Sequence, residues 1–473
     1  MPIIKSISGI RGTIGGLPND NLTPPDILKF ACAYGQFIKT SQNIDKVKVI
    51  IGRDSRVSGE SVRSIVVGAL LSLGIDVIDL GMASTPTVAM AVMSQEAHGG
   101  IIISASHNPQ GWNALKLLNC DGEYLSAKDG LKVLAFAEEN GYAFVNEENS
   151  GAYIFNPYLE WDHIHKIEKL PLVEKDLIKS KDFKIVVDGI NSIGAKAISH
   201  VLEMLGVSRQ IIINGSLDGR FAHNPEPLEK NLGEIMERVK SEGADLGIVV
   251  DPDVDRLAFI DENGKMFGEE YSLVAISNYV LENFSILEKL YPGKYKLAAV
   301  SNLSSSRALK DVVSGYGGEY EASAVGEVNV VTKMKEIKAV IGGEGNGGII
   351  FPELHYGRDA LLGVALFLSY LAKTYKKVSE IRKNLPSYFM VKDRLVLKDG
   401  FNLNTIINKL KEEYKLEKIS TIDGIKIDFK DSWAHLRASN TEPILRIYTE
   451  AKTKQEAQDL NNKIKEKVLI FIQ

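Results

Sequence analysis

One local pattern occurs three times along this chain, and it limits the folds that the chain can adopt. In each case an apolar run leads into a turn rich in glycine and serine, and a helical pattern follows; the runs are 47–51, 185–187 and 297–300. A strand, a turn and a helix in this order open a βαβ unit. Because the pattern returns after roughly 110 to 140 residues, about the size of one domain, we predict three related α/β domains in series.

The domain boundaries are predicted from shifts in composition. The polar stretch 147–151 is typical of a linker, the turn 261–264 precedes a new helical segment, and the composition changes again near 385–387. After Met390 the pattern predicts a small α+β domain, whose last helix begins at a capping box formed by 453–456. The four predicted domains are 1–150, 151–264, 265–386 and 387–473.

Composition excludes several classes of protein. A chain of 473 residues with 44% hydrophobic and 25% charged residues has enough apolar material for ordinary globular cores. The net charge of −5 argues against a general nucleic-acid binder, and no apolar stretch approaches the roughly 18 residues of a membrane span. Cys32 and Cys120 are too few for a disulfide framework, and the N-terminus lacks the apolar core of a signal peptide. We expect a cytoplasmic protein.

A serine follows one of the most apolar runs of the chain. The run 99–103 ends in three isoleucines and predicts a strand buried on both faces. Ser106 begins the turn 106–110, here called the serine loop, in which Pro109 stiffens the exit. Ser106 either caps this turn or presents its hydroxyl to a ligand, since open α/β sheets bind ligands at the carboxyl ends of their strands.

Three carboxylates follow another buried run, 246–250. Asp251, Asp253 and Asp255 alternate in the segment 251–256, here called the acidic loop, and provide hard oxygen ligands for a divalent cation. An EF-hand is excluded because Arg256 stands where its sharp turn needs glycine, and because the flanking segments are predicted strands. The alternative is a solvated acidic turn. We favour Mg²⁺, which accepts few protein ligands and completes its shell with phosphate or water.

The segment 342–348, here called the glycine loop, formally contains the pattern G-x-G-x-x-G. A dinucleotide site would require a helix next, whereas 349–352 predicts a strand. We expect the glycines to bring Glu344 and Asn346 close to a polar ligand, since their side chains suit vicinal sugar hydroxyls. Downstream, His355 and the pair Arg358 and Asp359 are candidates for the same pocket.

The segment 437–443, here called the phosphate loop, combines an arginine, two hydroxyls and an amide, and it is either a phosphate cradle or a plain polar hairpin. Its candidate phosphate ligands are Arg437, Ser439, Asn440 and Thr441. Further basic residues near the other loops are Arg11, Arg53, Arg56 and Lys116. Together the four loops predict phosphoryl transfer on a phosphorylated sugar, in which a metal bridges a phosphoserine while Lys116 and Arg256 offset the remaining charge.

In the order SASHNP, DPDVDR, GEGNG and RASNTEP, these motifs resemble the α-D-phosphohexomutases along essentially the whole chain. The resemblance implies four domains, a phosphoserine at Ser106, and Mg²⁺ held by that residue with Asp251, Asp253 and Asp255. It also implies that a hexose monophosphate is phosphorylated, that the hexose 1,6-bisphosphate turns around, and that the other phosphate returns to the serine.

The resemblance also implies roles for the remaining residues. Arg11, His107 and Lys116 would line the catalytic centre, with Lys116 as general acid and base, its pKa lowered by neighbouring arginine and metal charges. Glu344 and Asn346 would read the sugar hydroxyls. The phosphate loop would hold the phosphate that does not react.

The chain departs from the family pattern at the glycine loop. Many members have Ser where this chain has Asn346 and His where it has Gly348, and His355 is our candidate to replace that histidine. Asn346 resembles the residue of amino-sugar mutases and also that of some archaeal-type enzymes of mixed specificity, while the GIRG start resembles the bacterial phosphoglucosamine mutases. Phosphoglucosamine mutase is the predicted activity. The alternatives are a phosphoglucomutase and phosphomannomutase of mixed specificity, and a sugar-phosphate phosphatase with a phosphoserine intermediate. The expected partners are small hexose phosphates, and the expected assembly is a monomer or homodimer.

Overall fold

The structure, a computed structural model, describes residues 3–6, 9–42, 46–396, 403–438 and 444–472. The described chain forms four sheets, three of them mixed and one antiparallel, each covered by helices. This confirms the predicted architecture of three similar α/β units followed by a small α+β unit. The repeated apolar runs form strands in the first, second and third sheets.

The first sheet has seven strands in the order β1-β2-β6-β5-β3-β4-β7. Its strands are β1 (Ile4–Ser6), β2 (Gly9–Thr13), β3 (Val47–Arg53), β4 (Ile75–Met82), β5 (Gly99–Ile103), β6 (Trp112–Leu118) and β7 (Tyr153–Phe155). Its helices are α1 (Pro24–Gln42), α2 (Gly59–Ser72), α3 (Thr85–Ser94) and α4 (Ala127–Glu139), with a 3₁₀ helix at Glu147–Asn149. Strand β7 pairs in parallel with β4, so this sheet extends past the boundary predicted at residue 150.

The second sheet has the order β11-β10-β8-β9 and the third has the order β13-β12-β14-β15. The second unit contains α5 (Leu159–Glu168), α6 (Lys175–Ser180), β8 (Lys184–Asp188), α7 (Gly194–Met204), β9 (Arg209–Ile213), a 3₁₀ helix (Glu229–Asn231), α8 (Gly233–Glu242), β10 (Leu246–Val250) and β11 (Leu257–Ile260). The third contains α9 (Tyr271–Glu282), α10 (Phe284–Leu290), β12 (Lys296–Asn302), α11 (Arg307–Gly315), β13 (Glu319–Ser323), α12 (Glu327–Ile337), β14 (Ala339–Glu344), β15 (Gly348–Ile350), α13 (Ala360–Thr374) and α14 (Val378–Asn384).

The three α/β units share one four-stranded pattern. In each, the first strand of the pattern (β3, β8 or β12) pairs in parallel with the second and the third, and the third pairs antiparallel with the fourth. This common topology is the physical counterpart of the sequence repeat. The second and third units also share one hydrophobic core, in which helix α13 is buried from Ala360 to Ala372.

The fourth sheet is antiparallel, with the order β16-β20-β19-β18-β17. This unit contains β16 (Phe389–Val396), α15 (Leu403–Glu413), β17 (Lys418–Ser420), β18 (Ile425–Asp428), β19 (Trp433–Ala438), β20 (Ile444–Ala451) and α16 (Lys454–Ile472). The predicted capping box is present at the start of α16, because the amide of Thr453 donates to Glu456 and the amide of Glu456 donates to Thr453. Among the described helices, none combines the length and the apolar character needed to cross a membrane.

Candidate active site

The three predicted loops of the α/β units occupy equivalent positions. The serine loop joins β5 to β6, the acidic loop joins β10 to β11, and the glycine loop joins β14 to β15. Each therefore connects the third and fourth strands of the repeated pattern, at the carboxyl end of a buried parallel strand. The repeat places one chemically distinct loop from each unit at the same edge of its sheet.

A buried ion pair between Arg56 and Asp54 holds the serine loop in place. Arg56, which is 1% exposed, donates from Nε to Asp54 at 3.1 Å. Asp54 also accepts a hydrogen bond at 2.7 Å from Ser104, whose Oγ in turn accepts from the amide of Ser106 at 2.9 Å. The Arg56 guanidinium donates at 2.6–2.9 Å to three carbonyl oxygens of the loop, those of Ser106, Asn108 and Pro109, and to that of Trp112 at the start of β6. Arg56 therefore shapes the loop rather than facing a ligand.

Ser106 lies directly against the acidic loop. Its Oγ donates to Oδ2 of Asp251 at 2.6 Å, and its backbone has a φ of 49°, a left-handed value that a side chain rarely adopts. Burial and the neighbouring arginines hold the pKa of His107 well below its ordinary value. We infer a neutral ring whose Nε2 accepts from Arg256 at 3.5 Å and whose Nδ1 donates to Ser106 Oγ at 3.3 Å.

The three aspartates of the acidic loop are fully buried and close together. One carboxylate oxygen from each of Asp251, Asp253 and Asp255 lies within 4.8 Å of the others. Burial and the two neighbouring carboxylates raise the pKa of Asp251 well above its ordinary value. Burial alone would also raise the pKa of Asp255, but Arg358 and Lys116 lower it to about 2.

The donor set of the acidic loop fits a hard divalent cation. Oδ1 of Asp253 and Oδ1 of Asp255 are buried and have no hydrogen-bond partner among the described residues. A buried carboxylate oxygen without a partner is costly, so two such oxygens in neighbouring residues are a donor set that a divalent cation would satisfy. Carboxylate oxygens are the ligands that Mg²⁺ prefers.

Lys116 lies among these carboxylates, and they determine the direction in which its pKa shifts. Its Nζ is 2.5 Å from Oδ2 of Asp253 and 3.5 Å from Oδ2 of Asp255. Burial would lower the pKa of Lys116, but the two carboxylates outweigh burial and raise it. The predicted lowering depends on metal as well as arginine charge and stays a prediction, as does the role of Lys116 as general acid and base.

The candidate arginines share one electrostatic environment. Burial, followed by the nearby charges of Arg256 and Arg358, lowers the pKa of Arg11 on strand β2. Arg256 is 8% exposed, and its amide donates to Asp251 at 3.1 Å. Arg256 also influences His107, whose pKa it helps to lower, so Arg11, Arg256 and His107 act on one another electrostatically.

Thr85 belongs to this centre and was missed by the sequence reasoning. Its Oγ1 donates to Oδ2 of Asp253 at 2.5 Å, and its amide donates to the Asp253 carbonyl at 2.9 Å. Ser84 caps helix α3 at this point, a local signal that the sequence does contain. Nothing local connects Thr85 to an acidic loop in another domain.

Glu344 in the glycine loop is 5% exposed and already binds three protein donors. Its Oε1 accepts from Asn302 at 2.8 Å and from the amide of Gly326 at 3.1 Å, and its Oε2 accepts from Arg358 at 3.0 Å. Oδ1 of Asn346, in contrast, is buried and has no partner within the described part of the chain. Asn346 is therefore the side chain of this loop with an unused acceptor.

The assignment of His355 to the ligand pocket stays a prediction, and the structure shows a contact of this residue with Asp359. His355 is 4% exposed, and its Nε2 donates to Asp359 at 3.1 Å. Oδ2 of Asp359 also accepts from His163 on α5 at 2.8 Å, while Thr87 on α3 lies 3.1 Å from the other nitrogen of His163. These atoms are close enough to bind a metal, but hydrogen bonds already satisfy them. The cluster ties the first three units together.

Asp359→Asn should therefore destabilise the junction of these units by about 3 kcal/mol, because it leaves two buried imidazole N–H groups competing for one amide oxygen. Burial would raise the pKa of Asp359, but the histidines lower it below its ordinary value. Its contribution is thus complete above the unfolded pKa of about 4 and is lost as the pH falls below it. Thermal unfolding should show a melting temperature below that of the wild type by a constant amount from pH 7 to pH 4, and a difference that begins to narrow only below pH 4, whereas the exposed Asp162→Asn should show no difference. An equal effect of both substitutions would contradict this role.

The phosphate loop begins at the end of β19 and is described only in part. Nε of Arg437 lies 3.4 Å from Asp423, which also accepts from the amide of Val325 at 3.1 Å. The next amide along the chain, that of Gly326, donates to Glu344. Arg437 is thereby linked to the glycine loop: Asp423 contacts Arg437 and Val325, and the neighbouring Gly326 contacts Glu344. Ser439, Asn440 and Thr441 lie outside the described residues.

Comparison with known proteins gives four matches in chain order. They are to the phosphoglucomutase/phosphomannomutase alpha/beta/alpha domain I over residues 4–143, domain II over 162–264, domain III over 269–389 and the C-terminal domain over 390–467.

Two curated relatives are similar over nearly their whole length. A phosphoglucomutase/phosphomannomutase of Thermococcus kodakarensis is 37% identical over 95% of this chain and 96% of its own. A phosphoglucosamine/phosphogalactosamine mutase of Sulfurisphaera tokodaii is 34% identical over 97% of each chain.

Solved structures share the fold. A putative phosphomannomutase from Thermus thermophilus superposes with a TM-score of 0.80 at 23% identity and covers 99% of both chains. A phosphoglucomutase/phosphomannomutase family protein from Burkholderia thailandensis also gives a TM-score of 0.80, at 22% identity over 99% of this chain and 98% of its own.

Proposed function

The chain belongs to the phosphoglucomutase/phosphomannomutase family and is a phosphohexomutase, and we propose that it interconverts glucosamine 6-phosphate and glucosamine 1-phosphate through a phosphoserine at Ser106. The observation that carries the proposed chemistry is the 2.6 Å contact between Ser106 Oγ and Asp251, inside a buried ring of carboxylates. This contact supports the proposal, because it joins the Ser106 hydroxyl of the first unit to the carboxylates of the second.

In the proposed reaction the phosphoryl group leaves Ser106 Oγ for the free hydroxyl of a hexose monophosphate. The bond from phosphorus to Oγ breaks, a bond from phosphorus to the sugar oxygen forms, and the hydroxyl proton passes to a base, for which Lys116 Nζ is the candidate once deprotonated. The hexose 1,6-bisphosphate then turns around and returns its other phosphate to Ser106. When bound by the three aspartates and the phosphoserine, Mg²⁺ supplies charge neutralisation for this transfer.

The remaining residues would bind and orient the sugar phosphate. Arg437 and the rest of the phosphate loop would hold the phosphate that does not react, with Arg11 and Arg256 offsetting the charge at the centre. Asn346 is the proposed contact to the hexose. Its unused Oδ1 suits a group that can only donate, as the protonated amine of an amino sugar does.

A second candidate is mixed specificity for glucose and mannose phosphates. It is favoured by the 37% identity to a protein named phosphoglucomutase/phosphomannomutase, and a sugar hydroxyl can also donate to Asn346. Cytoplasmic location, a monomeric or homodimeric state and activation by a hexose 1,6-bisphosphate remain predictions.

A coupled assay tests the substrate. We expect kcat/KM for glucosamine 6-phosphate to exceed that for glucose 1-phosphate and mannose 1-phosphate by about tenfold or more, with Mg²⁺ and the matching bisphosphate added. Equal values for all three would support mixed specificity instead. Release of inorganic phosphate matched to substrate consumption would identify a phosphatase and contradict the proposal.

A further inference from the structure

We propose that Arg358 is a positioning residue that holds the acidic loop and the glycine loop in register, and that residue 348 is a glycine in order to admit its side chain. The inference deepens the proposed function and rests on it. It concerns how the cation site and the sugar site, which lie in different domains, keep a fixed separation.

Arg358 reaches a carboxylate with each of its three guanidinium nitrogens. One terminal nitrogen donates to Asp255 of the acidic loop at 2.8 Å, and the other donates to Glu344 of the glycine loop at 3.0 Å. Nε donates to Glu327, at the start of α12, at 2.7 Å. Arg358 is 9% exposed, so these contacts form in a largely dry environment. A planar fork can make all three contacts at once, whereas the single ammonium of a lysine cannot.

Gly348 makes room for this arginine. A Cβ added at residue 348 would lie 2.2 Å from Cδ of Arg358 and 2.9 Å from its Cγ. The backbone of Gly348 does not have the positive φ that would itself require glycine. The absence of a side chain is therefore needed for space. Residue 348 is one of the two positions at which the chain departs from the family pattern, and Arg358 fills the space that a side chain there would take.

The two loops also touch through their backbones next to this point. The amide of Leu257 donates to the carbonyl of Gly347 at 3.0 Å. A Cβ on Gly347 would lie 2.4 Å from the Leu257 carbonyl, so the contact leaves no room for a larger residue. Because Arg358 binds both carboxylates, displacing it would move Asp255 and Glu344 together. Loss of the arginine should weaken the binding of a cation at one loop and of a sugar phosphate at the other.

Gly348→Ala is the sharpest test, because it displaces Arg358 and leaves every charged group in the chain. Gly315→Ala is the matched control, since a Cβ at residue 315 meets no atom within 4 Å. We expect Gly348→Ala to raise the Mg²⁺ dissociation constant, measured by calorimetry, and the KM for the sugar phosphate each by about tenfold. The control should leave both unchanged. Wild-type values for both constants in Gly348→Ala would overturn the proposal.

Arg358→Ala, alone and combined with Gly348→Ala, provides the second test. If Gly348→Ala acts by displacing the arginine, it should have no further effect on either constant once Arg358 is already alanine. Arg358→Lys should restore little of either constant, since it keeps the charge but not the fork that makes the three contacts. Additive effects of the two alanine substitutions, or a lowered melting temperature with both constants unchanged, would refute it. The calorimetric measurement needs no turnover, so failure of the proposed substrate would appear as an inactive wild type with an intact Mg²⁺ response.

Discussion

Ser106→Ala is expected to lower kcat by about 10⁴-fold or more while leaving the melting temperature close to that of the wild type. The hydroxyl is the only group that the substitution removes, and it donates a single side-chain hydrogen bond, to Asp251. The backbone of the loop is held independently by Arg56. The measurement is the coupled mutase assay, together with mass spectrometry of the tryptic peptide that contains Ser106.

The control for this substitution is Ser64→Ala, which removes an exposed hydroxyl on α2. Wild-type peptide should contain phosphate at Ser106 after incubation with a hexose 1,6-bisphosphate, and the variant should contain none. Turnover of Ser106→Ala at more than a few percent of the wild-type rate would show that the phosphoryl group is carried elsewhere.

Arg56→Met is expected to cost about 3–5 kcal/mol of folding stability and to abolish activity as well. The substitution leaves Asp54 as a buried, unpaired carboxylate, and it removes the donors to the carbonyl oxygens of the serine loop. Burial already raises the pKa of Asp54 even with Arg56 beside it, which indicates how costly its charge would be without a partner.

Arg53→Met provides a matched control three residues away. Arg53 pairs with Glu60, whose side chain is 57% exposed, and such pairs contribute about 1 kcal/mol or less. Urea unfolding followed by tryptophan fluorescence should separate the two variants clearly. Similar losses of stability in both would contradict the role of Arg56 in shaping the loop.

The loops of this site could be predicted from sequence because each follows a buried strand and contains an unusual local pattern. Ser106 and Asp251 were both identified in this way, and the structure brings them together. Repetition of the strand, turn and helix pattern predicted the three similar units, because hydrophobic runs of that length have few other stable arrangements.

The contacts between units could not be predicted, because they depend on side chains far apart in the chain. Thr85 and Asp253 are 168 residues apart, and no periodic pattern connects them. His355 was assigned to the pocket from its proximity in sequence, and its contact with Asp359 could not be predicted in that way. The raised pKa of Lys116 was not predicted either, because it depends on aspartates of another unit that outweigh the effect of burial.

The equivalent placement of the serine, acidic and glycine loops has a consequence for the origin and assembly of this enzyme. If one ancestral unit was copied twice, each copy kept the scaffold and changed a single hairpin, which in the proposed reaction serves the nucleophile, the cation or the sugar. On that proposal no copy would work alone, because the reaction centre needs all three hairpins and the phosphate loop. The docking of domains, rather than the folding of any one of them, would then be the event that creates the enzyme.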